Sequence, residues 1–260
     1  MSTGGLILAG DVRLGFYNDS GAFLGYMQDP INVTELTPVP GEGEEIVRES
    51  RMRDTYGMAL DALTAPAPYT VTFTTDTISR EILRALFLGL DTDITVASGS
   101  ITAEPIVARV GKWVPTSQVM LSASGLTVTD NATPTPNALT EGTDYLVDLR
   151  NGAILALEGG DIDDGDTILV SASYGGREGF KISAGRREAI TAAFLLDGRS
   201  LRPEDSGKVI RWKADRINFR PAGGNDLMSQ EWLSAQFSGT ILIPQGASEP
   251  FTYEEYSAVE

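Results

Sequence analysis

Residues 69–89, YTVTFTTDTISREILRALFLG, set a strand directly before a helix, and the fold turns on how they are read. Tyr69, Val71 and Phe73 alternate with Thr70, Thr72 and Thr74, the period-two pattern and β-branched content of a half-buried strand. The period then changes. Ile78, Ile82, Leu83 and Leu86, with neighbouring Ala85, fall at i, i+4, i+5 and i+8 and form one apolar stripe of a helix. Asp76 is placed to cap this helix and Gly89 to close it in the left-handed conformation. A single such helix covers one face of a sheet.

Working outward, the remaining chain reads as strands. Asp11–Tyr17 puts Val12, Leu14 and Phe16 on one face, the turn residues Asn18-Asp19-Ser20-Gly21 follow, and Ala22–Met27 returns, which predicts a hairpin. Ile31–Thr37 and Glu45–Ser50 continue the pattern. Thr143–Leu149, Ala153–Glu158 and Thr167–Tyr174 read as three successive strands joined by turns at Arg150-Asn151-Gly152 and Asp161–Asp166. Before them lies a loop, Asp130–Leu139, holding Pro134 and Pro136 with little else to anchor it. Glu188–Leu196, Lys208–Arg220 and Leu227–Ile243 are longer, with Val209, Arg211 and Lys213 on one face against Ile210, Trp212 and Ala214 on the other. The expectation is a mainly β protein in which residues 104–176 form a small β-module inserted into a main domain of 1–103 and 177–260, because the module's hairpins need no outside partner.

Composition narrows the chemistry. The 260 residues include no Cys and no His, which removes disulfides, thiolates, Ser-His-Asp and Cys-His dyads and most zinc sites. Any catalysis would rest on carboxylates, Lys or Tyr, and the expectation is a protein that is not an enzyme. The start, MSTGGLILAG, lacks a basic region and has only four consecutive apolar residues, so it reads as neither signal peptide nor membrane span. The net charge of −16 is uneven: −8 over 1–103, −7 over 104–176, +5 over 177–220 and −6 over 221–260. A basic block inside an acidic chain suits self-association through complementary patches better than nucleic-acid binding. Sixteen of the twenty basic residues are Arg, the cation favoured at interfaces.

Few motifs carry chemistry. Asp161-Ile162-Asp163-Asp164-Gly165-Asp166 offers enough carboxylates for calcium, but the closing Glu of an EF-hand is missing and a strand-to-strand turn is the better reading. Glu42, Glu44, Glu45 and Glu49 could pair as glycosidase carboxylates, yet nothing in their spacing sets two of them across a substrate, and a solvated or channel-facing acidic edge is preferred. Arg177 with Lys181, and Arg186-Arg187, could grip phosphate; Glu178 and Glu188 beside them favour intermolecular or cross-strand salt bridges. Trp113, Trp212 and Trp232 read as core or interface anchors, too scattered for a stacking platform. No metal or cofactor is expected.

Residues 38–68, PVPGEGEEIVRESRMRDTYGMALDALTAPAP, are too long and too charged for a simple connection. In order, the strand Ile31–Thr37, the acidic Gly41–Glu49, the loop Arg53-Asp54-Thr55-Tyr56-Gly57-Met58-Ala59-Leu60-Asp61-Ala62-Leu63, the strand Tyr69–Thr75 and the helix Asp76–Gly89 resemble the major tail tube proteins of long, flexible-tailed bacteriophages. Gly207-Lys208-Val209-Ile210-Arg211-Trp212, Arg220-Pro221 and Trp232-Leu233-Ser234-Ala235-Gln236-Phe237-Ser238-Gly239 are similar to their closing strands. The run Glu141-Gly142-Thr143-Asp144-Tyr145-Leu146-Val147-Asp148 through Ser171-Ala172-Ser173-Tyr174 is similar to an outer β-module that some carry.

The resemblance implies a two-sheet β-sandwich or barrel with one flanking α-helix, assembled into hexameric rings that stack into a tube conducting double-stranded DNA from capsid to host, with the inserted module on the exterior. It implies a virion tail protein assembled in the bacterial cytoplasm. Its partners would be itself, tail tip or baseplate and terminator proteins at the tube ends, and a tape-measure protein inside, with DNA passing unbound and no membrane. The 38–68 segment would reach a neighbouring subunit or ring through Glu42, Glu44, Glu45, Arg48, Arg51, Arg53, Tyr56 and Asp61. The candidates for acids facing the channel are Glu35, Glu42, Glu44 and Glu45. Alternatives from other classes are a β-rich surface adhesin or carbohydrate-binding module, for its inserted strands and tryptophans, and a carboxylate-based hydrolase.

Overall fold

The computed structural model describes residues 7–18, 20–202, 208–224, 227–228 and 231–257; Asp19 of the first turn, Gly207, residues 229–230 of the last expected strand and the opening residues 1–6 lie outside them. The protein is mainly β, with one short helix among the described residues and a curled antiparallel half-barrel sheet. The chain divides into two compact units, Met1–Asp91 with Ile182–Glu260, and Thr92–Lys181.

In the first unit, β1 (Leu8–Phe16), β14 (Ile190–Ser200), β15 (Lys208–Pro221), β16 (Ala235–Ile241), β5 (Thr70–Thr75) and β2 (Val33–Val39) pair in that order, and β17 (Thr252–Ser257) also pairs β15. β5 buries Val71, Phe73 and Thr75, the face its alternation assigns. The Phe73 ring centroid lies 5.2, 5.4 and 5.0 Å from those of Phe194, Phe219 and Phe237, and Phe194 meets Trp212 at 5.6 Å. These rings come from β5, β14, β15 and β16, so one aromatic cluster clamps four strands at geometries that favour edge and offset contacts.

β15 alternates as expected only to Ala214. Ile210, Trp212 and Ala214 are buried, but beyond Asp215 and Arg216 the buried residues are Ile217 and Phe219. The register to β14 slips there: Phe194 faces Ala214 while Ala192 faces Ile217. The extra residue on β15 inverts the inward parity and bends the strand. The first half of β15 pairs β17 and the second half pairs β16 along one edge.

The helix α1 (Arg80–Leu86) lays Ile82, Ala85 and Leu86 into the same core, with Ile78 and Leu83 packed beside them. Both predicted caps are corrected. Ser79, not Asp76, caps α1, its hydroxyl accepting from the Ile82 N–H at 3.2 Å, while the Asp76 carboxylate accepts from the Asn32 amide at 2.8 Å. Leu88, not Gly89, takes the left-handed conformation with φ 46°. Gly89 is needed for space, since a Cβ there would stand 2.4 Å from Ile182 Cγ2.

The predicted hairpin of Asp11–Tyr17 with Ala22–Met27 does not form a second strand. The chain returns beside β1 through Leu24 N–H to Phe16 O (3.1 Å), Gln28 to Leu14 (2.7 Å) and Ile31 to Val12 (2.8 Å). It spends three or four residues for every two of β1, so no regular ladder can form. Ile31 bridges β1 and leads directly into β2 at the other end of the sheet, joining the two ends at one corner.

The second unit contains two three-stranded sheets around one core of Ile106, Val128, Tyr145, Ile154, Ile168 and Val170. One sheet orders β7 (Gly99–Val107), β12 (Thr167–Tyr174) and β9 (Thr127–Asp130); the other orders β10 (Tyr145–Asp148), β11 (Ala153–Ala156) and β8 (Trp113–Pro115). β10 and β11 form a hairpin, but β12 leaves for the opposite sheet, so the three strands are not consecutive neighbours. β6 (Leu90–Val96) pairs β13 (Arg177–Ser183) where the chain passes between units.

Carboxylates hold the loops of this unit. Asp130 accepts from the backbone of Ala132 (3.1 Å) and Asn137 (2.7 Å) and from the Asn137 side chain (2.7 Å), so the Asp130–Leu139 loop is anchored after all. Buried Asp144 accepts from the Thr140 and Asp161 backbones at 2.7 and 3.0 Å, and Asp148 from the Asn151 backbone and side chain at 3.0 and 2.6 Å. These donors, led by the Asn137 side chain, the Thr140 N–H and the Asn151 N–H respectively, hold all three carboxyls below their usual range.

Two outcomes are expected. Phe73→Ala lowers unfolding stability by about 3–5 kcal/mol in denaturant titrations read by tryptophan fluorescence. Because a lowered folded pKa contributes stability that is complete above about pH 4 and is lost as pH falls further, Asp144→Asn should melt below the wild type at pH 7, with the gap closing in acid. Parallel calorimetric scans at pH 7 and near pH 2 check the sign.

Candidate functional site

A surface depression near the Asp161–Asp166 turn, about 320 Å3, is lined by Asp130, Asp161, Asp166 and neighbouring Leu139, Ile162 and Ile168. Asp164 pairs with Arg109 at 3.2 Å and accepts from the Val110 N–H at 3.1 Å, Asp166 accepts from the Asp163 N–H at 3.0 Å, and Gly165 has φ 97°. The Asp164 and Asp166 carboxylates are occupied in building the turn, and no group of three potential metal ligands occurs among the described residues.

Within the chain, the Arg177 guanidinium donates to Gln118 Oε1 at 3.1 Å and the Val119 carbonyl at 3.4 Å. Trp212 is core, whereas Trp113 and Trp232 are exposed.

The unusual feature is residues 38–68, expected as a loop apart from the strand at Glu45–Ser50. They fold as a hairpin in which β3 (Glu45–Glu49) pairs β4 (Ala59–Thr64). Val39 faces Thr70 at the end of the β2–β5 ladder and Glu45 faces Thr64 at the start of the next, with five residues between on each strand, 40–44 and 65–69. The register is therefore continuous, and the arm prolongs the β2–β5 pair beyond the sheet. Pro40, Pro66 and Pro68 lack the N–H a ladder needs, which explains the interruption. Gly41 and Gly43 permit the strands to stay close: a Cβ would stand 2.4 Å from Pro68 O at one and 2.1 Å from Ala65 O at the other.

The tip folds on itself. Ser50 is 1% exposed in an arm otherwise open to solvent, its Oγ 2.6 Å from Thr55 Oγ1 and accepting from the Met52 N–H at 3.2 Å. Ser50 N–H donates to Met58 O at 2.8 Å and Gly57 N–H to Ser50 O at 2.9 Å, with Gly57 at φ 80°. Every residue of β3 and β4 is exposed, including Ile46 (57%), Val47 (42%) and Leu63 (67%).

The predicted contact residues all lie on this arm. Glu42 and Glu44 stand on its stem, Glu45 and Arg48 on β3, Arg51, Arg53 and Tyr56 around the tip, and Asp61 on β4 opposite Arg48. Glu42, Glu44, Glu45, Arg48, Arg51 and Arg53 form no ion pair with a described residue. Glu35 is not brought to the stem acids: it sits on β2, opposite Thr74, on the sheet face away from the core. Sequence reasoning picked the charges and missed the aliphatic residues and Ser50. The signal was present in EIV and ALDAL, two short β-like runs flanking a Thr-Tyr-Gly turn.

The chain is a two-unit β protein whose first unit projects into solvent a preformed hairpin with exposed aliphatic side chains among its charges. The chain belongs to the family described as protein of unknown function UCP028589, whose model matches residues 8–248. No curated protein matches it.

Ser50→Ala should free the tip without touching the sheet: cleavage within residues 51–57 by a protease at limiting dilution accelerates, while the circular-dichroism spectrum stays that of the wild type.

Proposed function

We propose that this protein is the structural subunit of a long-tailed phage tail tube, assembling with copies of itself into stacked hexameric rings around a channel for DNA. The observation that carries this reading is the arm. An isolated two-stranded hairpin is marginal in water, yet this one is ordered at its tip and exposes large aliphatic side chains that its own chain leaves uncovered. Such a patch is the mark of a protein contact.

The sheet supports the same reading. β2, the root of the arm, is an end strand of a curled sheet, and end strands invite pairing with another chain. Pro38 on β2 removes one edge N–H, which limits indiscriminate pairing and leaves specificity to the arm. The net charge of −16 suits a conduit wall, since like charge keeps phosphate from adhering. The resemblance in element order over residues 31–89 supplies the phage assignment. On this reading the protein resides in the virion tail, with terminator and tip proteins at the tube ends and a tape-measure protein inside.

Negative-stain images of concentrated purified protein should show rings or tubes, and a protein lacking Glu42–Ala65 should keep its strand signal in circular dichroism and form neither. Globules alone at every concentration, and no such subunit in virion tails, would sink the proposal; loss of the strand signal in the deletion would show that the arm belongs to the core.

A further inference from the structure

We propose that the arm works as a wedge covered on both faces, by two further copies of this chain; the inference rests on the self-assembling reading above. Residues directly opposite in an antiparallel pair share a face. Ile46 faces Leu63, and Val47 faces Ala62. Since neighbours along a strand point to opposite sides, Ile46 and Leu63 occupy one face and Val47 and Ala62 the other. A hairpin that rests on one surface alternates apolar with polar; adjacent apolar residues on both strands belong to a ribbon enclosed on both sides. The chain itself encloses neither, since every residue of β3 and β4 is exposed.

Two kinds of surroundings could supply that enclosure, and length decides between them. β3 and β4 have five and six residues, about 17–20 Å of strand, short of the ~30 Å hydrocarbon core of a bilayer. Arg48 and Asp61 also face each other in mid-ribbon, where lipid would strip their water. Protein therefore covers the arm.

Charge points to this same protein. The stem and the start of β3 carry Glu42, Glu44 and Glu45 with no base among them; the far end of the arm carries Arg48, Arg51 and Arg53, partly offset by Glu49 and Asp54. From Glu44 to Arg51 an extended chain spans about 23 Å, well beyond the ~8 Å over which charges act in physiological salt. Stem and tip of one arm therefore cannot neutralise each other. Arms of successive copies, displaced along their length, bring guanidiniums to carboxylates in a head-to-tail contact of the kind that closes into rings.

Ile46→Glu and Val47→Glu put the same carboxylate on adjacent residues aimed at opposite faces. Pelletable polymer should fall roughly tenfold or more in both, with the monomer's circular dichroism unchanged. Ile46→Thr and Val47→Thr, which keep a β-branched side chain, repeat the comparison if a glutamate variant fails to fold, and a weaker loss is expected in both. If either face tolerates its substitutions and the protein assembles like the wild type, two-sided cover is overturned and the tube reading stands. Wild-type protein that never assembles overturns both, and wild-type protein that floats with anionic phospholipid vesicles places a bilayer on the arm and overturns the proposal.

Discussion

Phe73 is the side chain on which the first unit depends. Its ring meets three others, contributed by strands scattered from residue 194 to residue 237, and the contact holds β5 between β16 and the end strand β2 in a sheet assembled from both ends of the chain. Sequence-distant strands gain no help from local propensity, so fully buried aromatic rings, each worth several kcal/mol, must fix their order. What β5 gains is then passed on. Its ladder with β2 runs in unbroken register into the arm, so the direction of an exposed hairpin is set by a ring in the core.

The two units solve the same problem with different means. The first relies on large aromatic side chains and a helix laid over them. The second, built from strands of three to nine residues, has a smaller core of Ile, Val and Ala around Tyr145 and relies on carboxylates that gather the backbone N–H groups of its turns. An acidic composition thereby does structural as well as surface work: Asp130, Asp144, Asp148 and Asp164 each satisfy donors that a loop would otherwise leave to water.

Much of this was legible because period-two and 3.6-residue patterns report directly on which side is buried. β5, α1 and the first half of β15 followed from them. What stayed hidden were features in which one residue changes the count. The bulge at Asp215–Arg216 inverts the parity of β15, and the return beside β1 uses too many residues to pair, so alternation misleads in both places. Caps failed for a related reason: Ser79 and Asp76 are both competent acceptors, and the choice fell to Asn32, forty-four residues away, which claims Asp76. In the arm, charge drew attention from the aliphatic residues, whose exposure no sequence pattern announces.

The unbroken register through the stem also constrains how this arm can change over generations. Losing or gaining one residue between Pro40 and Glu44 would turn β3 over, exchanging Ile46 for Val47 on each face and unpairing β4. A viable change of reach must remove or add residues in twos, matched on both strands. The arm's length is therefore inherited in steps of roughly 7 Å, and any neighbour that receives it must be spaced to the same ruler.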